Sequence, residues 1–114
     1  MRLKSAIWVS ALIRRANGAG AFAAVRRRGS EEAGAIFVKV ATLDGKAALY
    51  GPALPSLDAD IEPGERLFAP LLASGTPESE AEERMVREIR FDPDLWFVEI
   101  EDRDGRPFLD LAKE

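Results

Sequence analysis

The fold is decided by residues 35–53, AIFVKVATLDGKAALYGPA. Residues 36–41 alternate with the period of two that is typical of a β-strand, and residues 47–50 form a second apolar run. Asp44-Gly45, between them, is a dipeptide that favours a tight hairpin turn. The stretch therefore predicts an antiparallel hairpin, around which the rest of the chain has to be arranged.

Upstream of this hairpin, the sequence predicts a strand followed by a helix. Residues 6–13 are rich in Ile, Trp and Val and hardly alternate, which favours a strand buried on both faces. Residues 14–28 are rich in alanine and nearly free of β-branched residues, which favours a helix. Gly18 and Gly20 weaken this helix, so we expect its first turn to be irregular.

Downstream, the chain first passes through a proline-containing and acidic segment, residues 53–64, which predicts a mobile surface loop. Residues 65–68 predict a short strand, and Pro70 favours an edge position for it. Thr76-Pro77 is a typical helix start, and an apolar stripe with a spacing of four predicts that this helix continues to about Arg90.

The last segment, residues 95–111, predicts a strand, a turn at residues 102–105 and a short returning strand. The resulting order is β-α-β-β-β-α-β-β. It describes an α+β fold, a mostly antiparallel sheet of five to six strands with two helices on one face. At 114 residues, we expect residues 1–114 to form one compact domain.

The chain contains neither cysteine nor histidine. Disulfides, thiolate metal sites, histidine-dependent triads and the commonest general base near neutral pH are therefore excluded. We expect no cofactor and no metal. No segment is long and apolar enough to span a bilayer, and Arg14-Arg15 stand where a signal peptide would need small neutral residues, so we expect a cytoplasmic protein.

Charge is distributed unevenly along the chain. Residues 1–53 contain nine Lys or Arg and three Asp or Glu, whereas residues 54–114 contain seven and seventeen. Either the two halves complement each other inside the fold, or a basic surface binds an acidic partner. The candidate residues for anion or partner binding are Arg14, Arg15, Arg26, Arg27 and Arg28; on a continuous helix, Arg15 and Arg26 would point in nearly the same direction.

A second candidate set is acidic. Two runs near the C-terminus, FDPD and EIEDRDG, contain Asp92, Asp94, Glu99, Glu101, Asp102 and Asp104. Their spacing does not match a calcium-binding EF-hand loop, and turn formation accounts for both runs. A small carboxylate-dependent enzyme would use Asp92, Asp94 or Glu99, and would need one carboxyl buried enough to shift its pKa.

A glycine pattern at residues 18–23, Gly18-x-Gly20-x-x-Ala23, resembles a dinucleotide-binding fingerprint placed between a strand and a helix. Asp44 stands where a ribose-binding acid is expected, but it enters a hairpin turn, and no nucleotide-binding half follows. The small residues are better explained by close helix–sheet packing. An isolated phosphate near the helix start and the arginines is a weaker alternative.

Three stretches, RLKSAIWVSALIRR, GAIFVKV with LDGKAALYGPA, and RFDPDLWFVEIEDR with GRPFLD, resemble the bacterial family known as domain of unknown function 1491. The resemblance covers nearly the whole chain. It implies a compact single-domain protein in the cytoplasm, but it supplies no activity, ligand or catalytic residue to transfer to this chain and leaves the function open.

The leading functional hypothesis is a non-enzymatic binding or protein-interaction module, with an acidic protein or another copy of the chain as partner. A carboxylate-dependent enzyme is the competing class. Nucleic-acid binding through residues 14–28 is a third, which the net charge of −4 and the lack of aromatic residues among the arginines disfavour.

Overall fold

The structure, a computed structural model, describes residues 3–53 and 66–112. Five strands and two helices follow one another along these residues, in the order α1 (Ser5–Gly18), β1 (Phe22–Arg27), β2 (Ile36–Ala41), β3 (Lys46–Pro52), β4 (Phe68–Pro77), α2 (Glu78–Phe91) and β5 (Trp96–Glu101). In these two ranges, neither helix is long and apolar enough to cross a membrane.

The strands form one mixed sheet in the order β1-β5-β2-β3-β4. Three of the four strand pairs are antiparallel, and β2 and β5 are parallel, with Val38 opposite Val98. The α+β class, the mostly antiparallel sheet and the two helices are confirmed. The parallel pair places β5, the last of these strands, inside the sheet between β1 and β2.

The two helices pack on opposite faces of the sheet, because each strand sends alternate side chains to opposite sides. Val9 and Leu12 of α1 pack against Val38 and Val98. Ala81 and Met85 of α2 belong to a separate cluster, which includes the intervening strand residues Phe37, Leu49 and Phe97. The expectation that both helices share one face is wrong, and the protein has two cores.

In residues 6–28 the sequence prediction is wrong, because strand and helix are interchanged. Helix α1 covers the predicted strand, and its buried residues Ser5, Val9, Leu12 and Ala16 recur at helical spacing. None of the described side chains caps its N-terminus. Two amides of its first turn, those of Ser5 and Ala6, instead donate to the carbonyls of Glu32 and Glu31. A cap supplied by a distant segment leaves no local signal in the sequence.

Strand β1 covers most of the predicted helix. It pairs with β5, with Val25 opposite Val98, and the ladder is irregular between Val25 and Arg27. The Asn17 side-chain carbonyl accepts a hydrogen bond from the Ala23 amide at 2.9 Å, and so covers part of the strand's free edge. Helix propensity, even that of alanine, is a small free-energy difference per residue, and pairing with β5 outweighs it.

The hairpin prediction is confirmed by β2 and β3, which pair from Val38–Tyr50 to Ala41–Ala47. Strand β4 starts at Phe68 and is longer than predicted, and Pro70 lies on this edge strand as expected. Helix α2 ends within one residue of its predicted end. Residues 54–64 of the predicted loop lie outside the described residues.

The prediction of a returning strand after residues 102–105 is wrong. The described part of this segment crosses the α1 face, where Phe108 and Leu109 pack against the core. It then forms a single parallel bridge between Leu111 and Phe68. The tail therefore closes the part of the sheet that α1 leaves open.

Candidate functional site

A cluster of five charged side chains lies between the sheet and α2. At its centre, the Lys39 ammonium is within 2.7, 2.6 and 3.1 Å of three carboxylates, those of Glu78, Glu82 and Glu99. Arg26 donates to Glu82 at 2.8 and 3.0 Å and to Glu99 at 2.9 Å. We call Arg26, Lys39, Glu78, Glu82 and Glu99 the ion-pair cluster.

The ion-pair cluster is assembled from four elements. Lys39 of β2 and Glu99 of β5 are register partners in the parallel pair, so their side chains leave the sheet on the same side. The first two turns of α2 bring Glu78 and Glu82 over them. Arg26 reaches in from β1, with its guanidinium 4.8 Å from the centre of the Phe97 ring.

Contacts within the cluster stabilise the charged forms of Arg26, Lys39 and Glu82. Burial lowers the pKa of Lys39, but hydrogen bonds to the three carboxylates outweigh it, and the net shift is upward. The hydrogen bond from Arg26 lowers the pKa of Glu82 to about 2, against the opposing effect of burial and with help from Lys39. Lys39 is therefore held in its protonated form, and it is only 2% exposed.

The central role of Lys39 was missed by sequence reasoning, although a signal for it exists. Lys39 is a charged residue between Phe37 and Ala41, on the same face of an otherwise apolar strand. A buried lysine requires carboxylate partners. Two of them, Glu78 and Glu82, are four residues apart in α2, but nothing in the sequence indicates which helix face meets β2.

The five candidate arginines are not brought together. Arg15 lies on the α1 side of the sheet and donates to the Phe108 carbonyl at 2.9 Å. Arg26 lies on the α2 side, in the ion-pair cluster, so the expectation that it points the same way as Arg15 is wrong. Arg27 donates to the Pro93 carbonyl, and the Arg28 guanidinium lies 5.2 Å from the centre of the Trp96 ring.

Arg14 differs from the other four arginines. Its side chain is exposed and, within residues 3–53 and 66–112, takes part in no hydrogen bond or ion pair. It borders a shallow depression of about 280 Å³ on the outward side of α1, which is lined by Ala6, Ile7, Ser10, Ala11 and Arg14. Ile7 is 53% exposed. We call Ile7, Ser10, Ala11 and Arg14 the α1 outer face.

The six acidic candidates also separate. Asp92 and Asp94 precede β5, and an Asp92 carboxylate oxygen accepts a hydrogen bond from the Asp94 amide in a local turn. Glu99 belongs to the ion-pair cluster. Glu101 ends β5, opposite Phe22 and Ala41 on the neighbouring strands.

Beyond β5, Asp102 is buried and holds Arg106 at 2.9 Å, whereas Asp104 is exposed. The hydrogen bonds from Arg106 lower the pKa of Asp102. A six-residue strand measures about 20 Å, so the acids at the two ends of β5 do not share a site.

The glycine pattern at residues 18–23 lies at the C-terminal end of a helix. The negative end of the helix dipole and its free carbonyls are unfavourable for a phosphate, which prefers an N-terminus. Gly20 has a φ of +93°, and a Cβ added there would meet no atom within 4 Å. The close-packing interpretation is therefore wrong, and this glycine is required for its backbone conformation.

A second concavity, of about 300 Å³, lies beside the N-terminal end of α1. Phe68, Ile36 and Arg66 contribute to its lining. Arg66 is 9% exposed and donates to the Leu3 carbonyl at 2.8 Å and to the Ser5 hydroxyl at 3.3 Å. These bonds attach the start of α1 to the chain that enters β4.

With the fold and these side chains described, the chain is defined as an α+β protein in which a mixed five-stranded sheet lies between two helices. The sequence model described as "Protein of unknown function (DUF1491)" matches residues 3–110. The chain belongs to this DUF1491 family. No curated protein matches it.

Solved structures agree with this assignment. The solution structure of protein Atu0922 from A. tumefaciens is 50% identical, with 100% of this chain and 98% of that chain covered and a TM-score of 0.83. The crystal structure of a DUF1491 family protein from Caulobacter crescentus CB15 is 41% identical, covering 99% and 100%, with a TM-score of 0.81. An NMR structure of a family protein from the same organism is 44% identical, covering 99% of each chain, with a TM-score of 0.80.

Proposed function

We propose that this protein is a non-enzymatic protein-interaction module that binds a helix of a partner protein on the α1 outer face. The observation that carries the proposal is the composition of this face. An exposed Ile7 stands next to two small residues, Ser10 and Ala11, and an unpaired Arg14 stands at one end.

Each of these features suits helix docking. Small side chains allow a second helix backbone to approach closely, and Ile7 supplies apolar area that is removed from water on binding. Arg14 selects a partner with a carboxylate beside its apolar surface, because its guanidinium has no partner among the described residues.

The ion-pair cluster supports a non-enzymatic function. Its five side chains satisfy one another, and Lys39 is withdrawn from solvent. Glu99, one of the acids that a carboxylate-dependent enzyme would use, accepts hydrogen bonds from two cations. Asp92 and Asp94 stand before the strand that carries it. An acid whose oxygens are occupied by two cations is poorly suited to proton transfer with a substrate.

Site-specific photo-crosslinking in bacterial cells tests the proposal. A photoreactive phenylalanine analogue at Ile7 should give a discrete crosslinked protein, and the linked peptide should be helical and acidic. The same analogue at Val86, which is 55% exposed on α2, is the matched control and should give none. Arg14→Glu should reduce the Ile7 product about tenfold, as expected for loss of a charge-assisted contact.

Three results would contradict the proposal. They are no product at Ile7, equal products at Ile7 and Val86, and a product that nuclease removes. The last would favour nucleic-acid binding.

A further inference from the structure

We infer that the outer side of β1 is a docking edge, to which an extended acidic segment of a partner protein adds as a sixth strand of the sheet. The inference goes beyond the proposed function, because it concerns a different surface and does not depend on Ile7. It is carried by the backbone groups on the outer side of β1 and by the cations that border them.

The two outer strands of the sheet differ in how their edges are covered. The C-terminal tail pairs with the β4 edge, where the Phe68 amide donates to the Asp110 carbonyl at 2.9 Å and the Ala112 amide donates to the Phe68 carbonyl at 2.8 Å. Strand β1, at the other end of the sheet, pairs with β5. Within residues 3–53 and 66–112, no strand lies on its outer side, so this edge is open to pairing.

The hydrogen bonds of β5 show which way the β1 backbone points. The amides of Trp96 and Asp102 donate to carbonyls on the β2 side, at 2.7 and 2.9 Å. Since successive residues of a strand turn their N–H and C=O groups to opposite sides, the even-numbered residues of β5 bond to β2 and the odd-numbered ones to β1. Val25 lies opposite Val98, an even-numbered residue, so its N–H and C=O groups point away from β5. The same holds for Ala23, two residues earlier.

Asn17 shows that this edge accepts a hydrogen-bonding partner. Its side-chain carbonyl takes the Ala23 amide at 2.9 Å, as the carbonyl of a neighbouring strand would. The remaining outward groups are the Ala23 carbonyl and both backbone groups of Val25, and none of them is bonded to a described residue. An antiparallel extended segment satisfies all of them, because one of its residues exchanges two hydrogen bonds with Val25 and another donates to Ala23.

The side chains around the edge specify the chemistry of the added segment. Val25 is 39% exposed, so an apolar residue opposite it removes apolar area from water. Arg14 lies three residues before Asn17, on the side of α1 that borders this edge, and has no partner among the described residues. Arg28, just beyond β1, is 68% exposed and is paired only weakly, with Glu31 at 4.0 Å. Carboxylates on either side of the apolar residue therefore complement the edge.

The composition of β1 disfavours a second copy of the same strand as the occupant. Residues 26–28 are three consecutive arginines, and pairing two β1 strands would bring three arginines from each copy onto one short ladder. The irregularity between Val25 and Arg27 also limits the length that can pair. A short acidic segment avoids the repulsion and needs only the residues before the irregularity.

Nuclear magnetic resonance titration of the nitrogen-15-labelled full chain with the peptide acetyl-EVEVE-amide tests the inference. The Val25 amide should exchange rapidly with solvent in the free protein, and should shift and exchange more slowly as the peptide is added. We expect a Kd of about 0.1 to 1 mM, because the interface is small. The same peptide with both valine amides methylated lacks the donors, and should bind at least tenfold more weakly, as should acetyl-KVKVK-amide.

Two protein variants separate the backbone from the charges. Val25→Pro removes an outward N–H that bonds to no described residue, and should weaken peptide binding at least tenfold. Arg28→Glu keeps the backbone, and should weaken binding of the acidic peptide while strengthening binding of the lysine peptide. Arg87→Glu, at an exposed position of α2, is the matched control and should change neither. Circular dichroism melting of each variant checks that the fold is retained.

Several results would overturn the inference. They are a Val25 amide that is protected in the free protein, no binding of the acidic peptide, equal binding of the methylated peptide, and shifts confined to the α1 outer face. Equal binding of the lysine peptide would overturn the acidic chemistry of the partner, and self-association that Val25→Pro abolishes would identify a second copy as the occupant instead. Crosslinking at Ile7 judges the proposed function separately, so either can fail while the other stands.

Discussion

The two faces of the sheet are held to their helices by different forces, although the same strands supply both. Toward α1, residues such as Val38 and Val98 meet an apolar helix surface, and the C-terminal tail covers the remainder. Toward α2, apolar contacts at Ala81 and Met85 adjoin the ion-pair cluster. The α1 face is closed by hydrophobic burial with hydrogen bonds mainly to backbone carbonyls, the α2 face by burial together with paired charges.

The difference originates in α2. Its inward residues, at spacings of three and four, are Glu78, Ala81, Glu82 and Met85, so the stripe is acidic where the helix begins and apolar further on. Lys39 supplies the matching cation on the sheet. Paired buried charges contribute less to stability than apolar side chains of the same volume. They nevertheless determine how α2 is positioned on the sheet, since any other arrangement leaves a charge unpaired.

Leu12→Ala breaks the apolar face and should have the largest effect. Leu12 is fully buried between α1 and the sheet, so the substitution should lower the free energy of unfolding by about 4 kcal/mol, equally at pH 4 and pH 7. Urea denaturation at both pH values measures it. Ile7→Ala, in the same helix but 53% exposed, should cost less than about 1 kcal/mol at low protein concentration; equal losses would show that α1 does not pack as described.

Lys39→Met breaks the charged face. The substitution removes the central cation and leaves Arg26 as the only cation of the cluster. It should lower the free energy of unfolding by about 3 kcal/mol at pH 7. This value is at the lower end of the range for breaking a buried ion pair, because the carboxylates are partly exposed. Unlike the loss at Leu12, this loss should shrink as the carboxylates are protonated in acid. Lys46→Met, at an exposed lysine of β3, is the matched control and should change little; a pH-independent loss at Lys39 would contradict a charge-based account.

Glu82→Gln sharpens the same comparison through its pH dependence. The folded-state pKa of Glu82 is lowered from 4.5 to about 2, so its contribution is fully present above about pH 4.5 and is lost as the pH falls toward 2. The variant should therefore be less stable than wild type at pH 7, and the gap should close between pH 4.5 and 2. Glu83→Gln, at the exposed neighbouring position, should follow the wild-type profile; a parallel offset at Glu82 would disprove the assigned role.

Gly20→Ala should have the smallest effect, and it tests the junction that leads from the α1 face into β1. With φ at +93°, an added Cβ is strained by about 1 kcal/mol even though space is available. Gly18→Ala, inside the last turn of α1 and equally open, should be neutral or stabilising by up to about 1 kcal/mol. Thermal melting of the two variants measures the difference. Equal shifts in melting temperature would contradict the interpretation that Gly20 is required for its positive φ.

These features differ in how far local sequence predicts them. The β2–β3 hairpin is predicted closely, because the period of two around Asp44-Gly45 is a signal contained within it, and the end of α2 is predicted within one residue. The start expected at Thr76-Pro77 is only approximate, since both residues end β4 and Thr76 donates to the Ala73 carbonyl instead of capping α2. The series of predicted elements also gives the α+β class correctly. For the ion-pair cluster, the sequence shows that charge is distributed unevenly along the chain, but it does not show which charged side chains pair with one another.

The N-terminal region shows why the remainder could not be predicted. The runs AIWVSALI and AFAAV have weak and misleading intrinsic preferences, which differ by a few tenths of a kcal/mol per residue. The deciding contacts are distant: α1 is capped by Glu31 and Glu32, and β1 pairs with a strand more than 70 residues later. Tertiary contacts of this kind outweigh local propensity.

The sequence by itself determined the hairpin, the second helix, the fold class and the absence of cysteine and histidine chemistry, because each depends on neighbouring residues or on composition. Only the tertiary structure decided that residues 5–18 are a helix and 22–27 a strand. It also decided that the two helices take opposite faces, that Lys39 gathers three glutamates, and that Arg14 alone of the five candidate arginines remains without a partner among the described residues. The physical reason is that burial and charge pairing act between side chains that are close in space, and the parallel β2–β5 pair brings distant parts of the chain together.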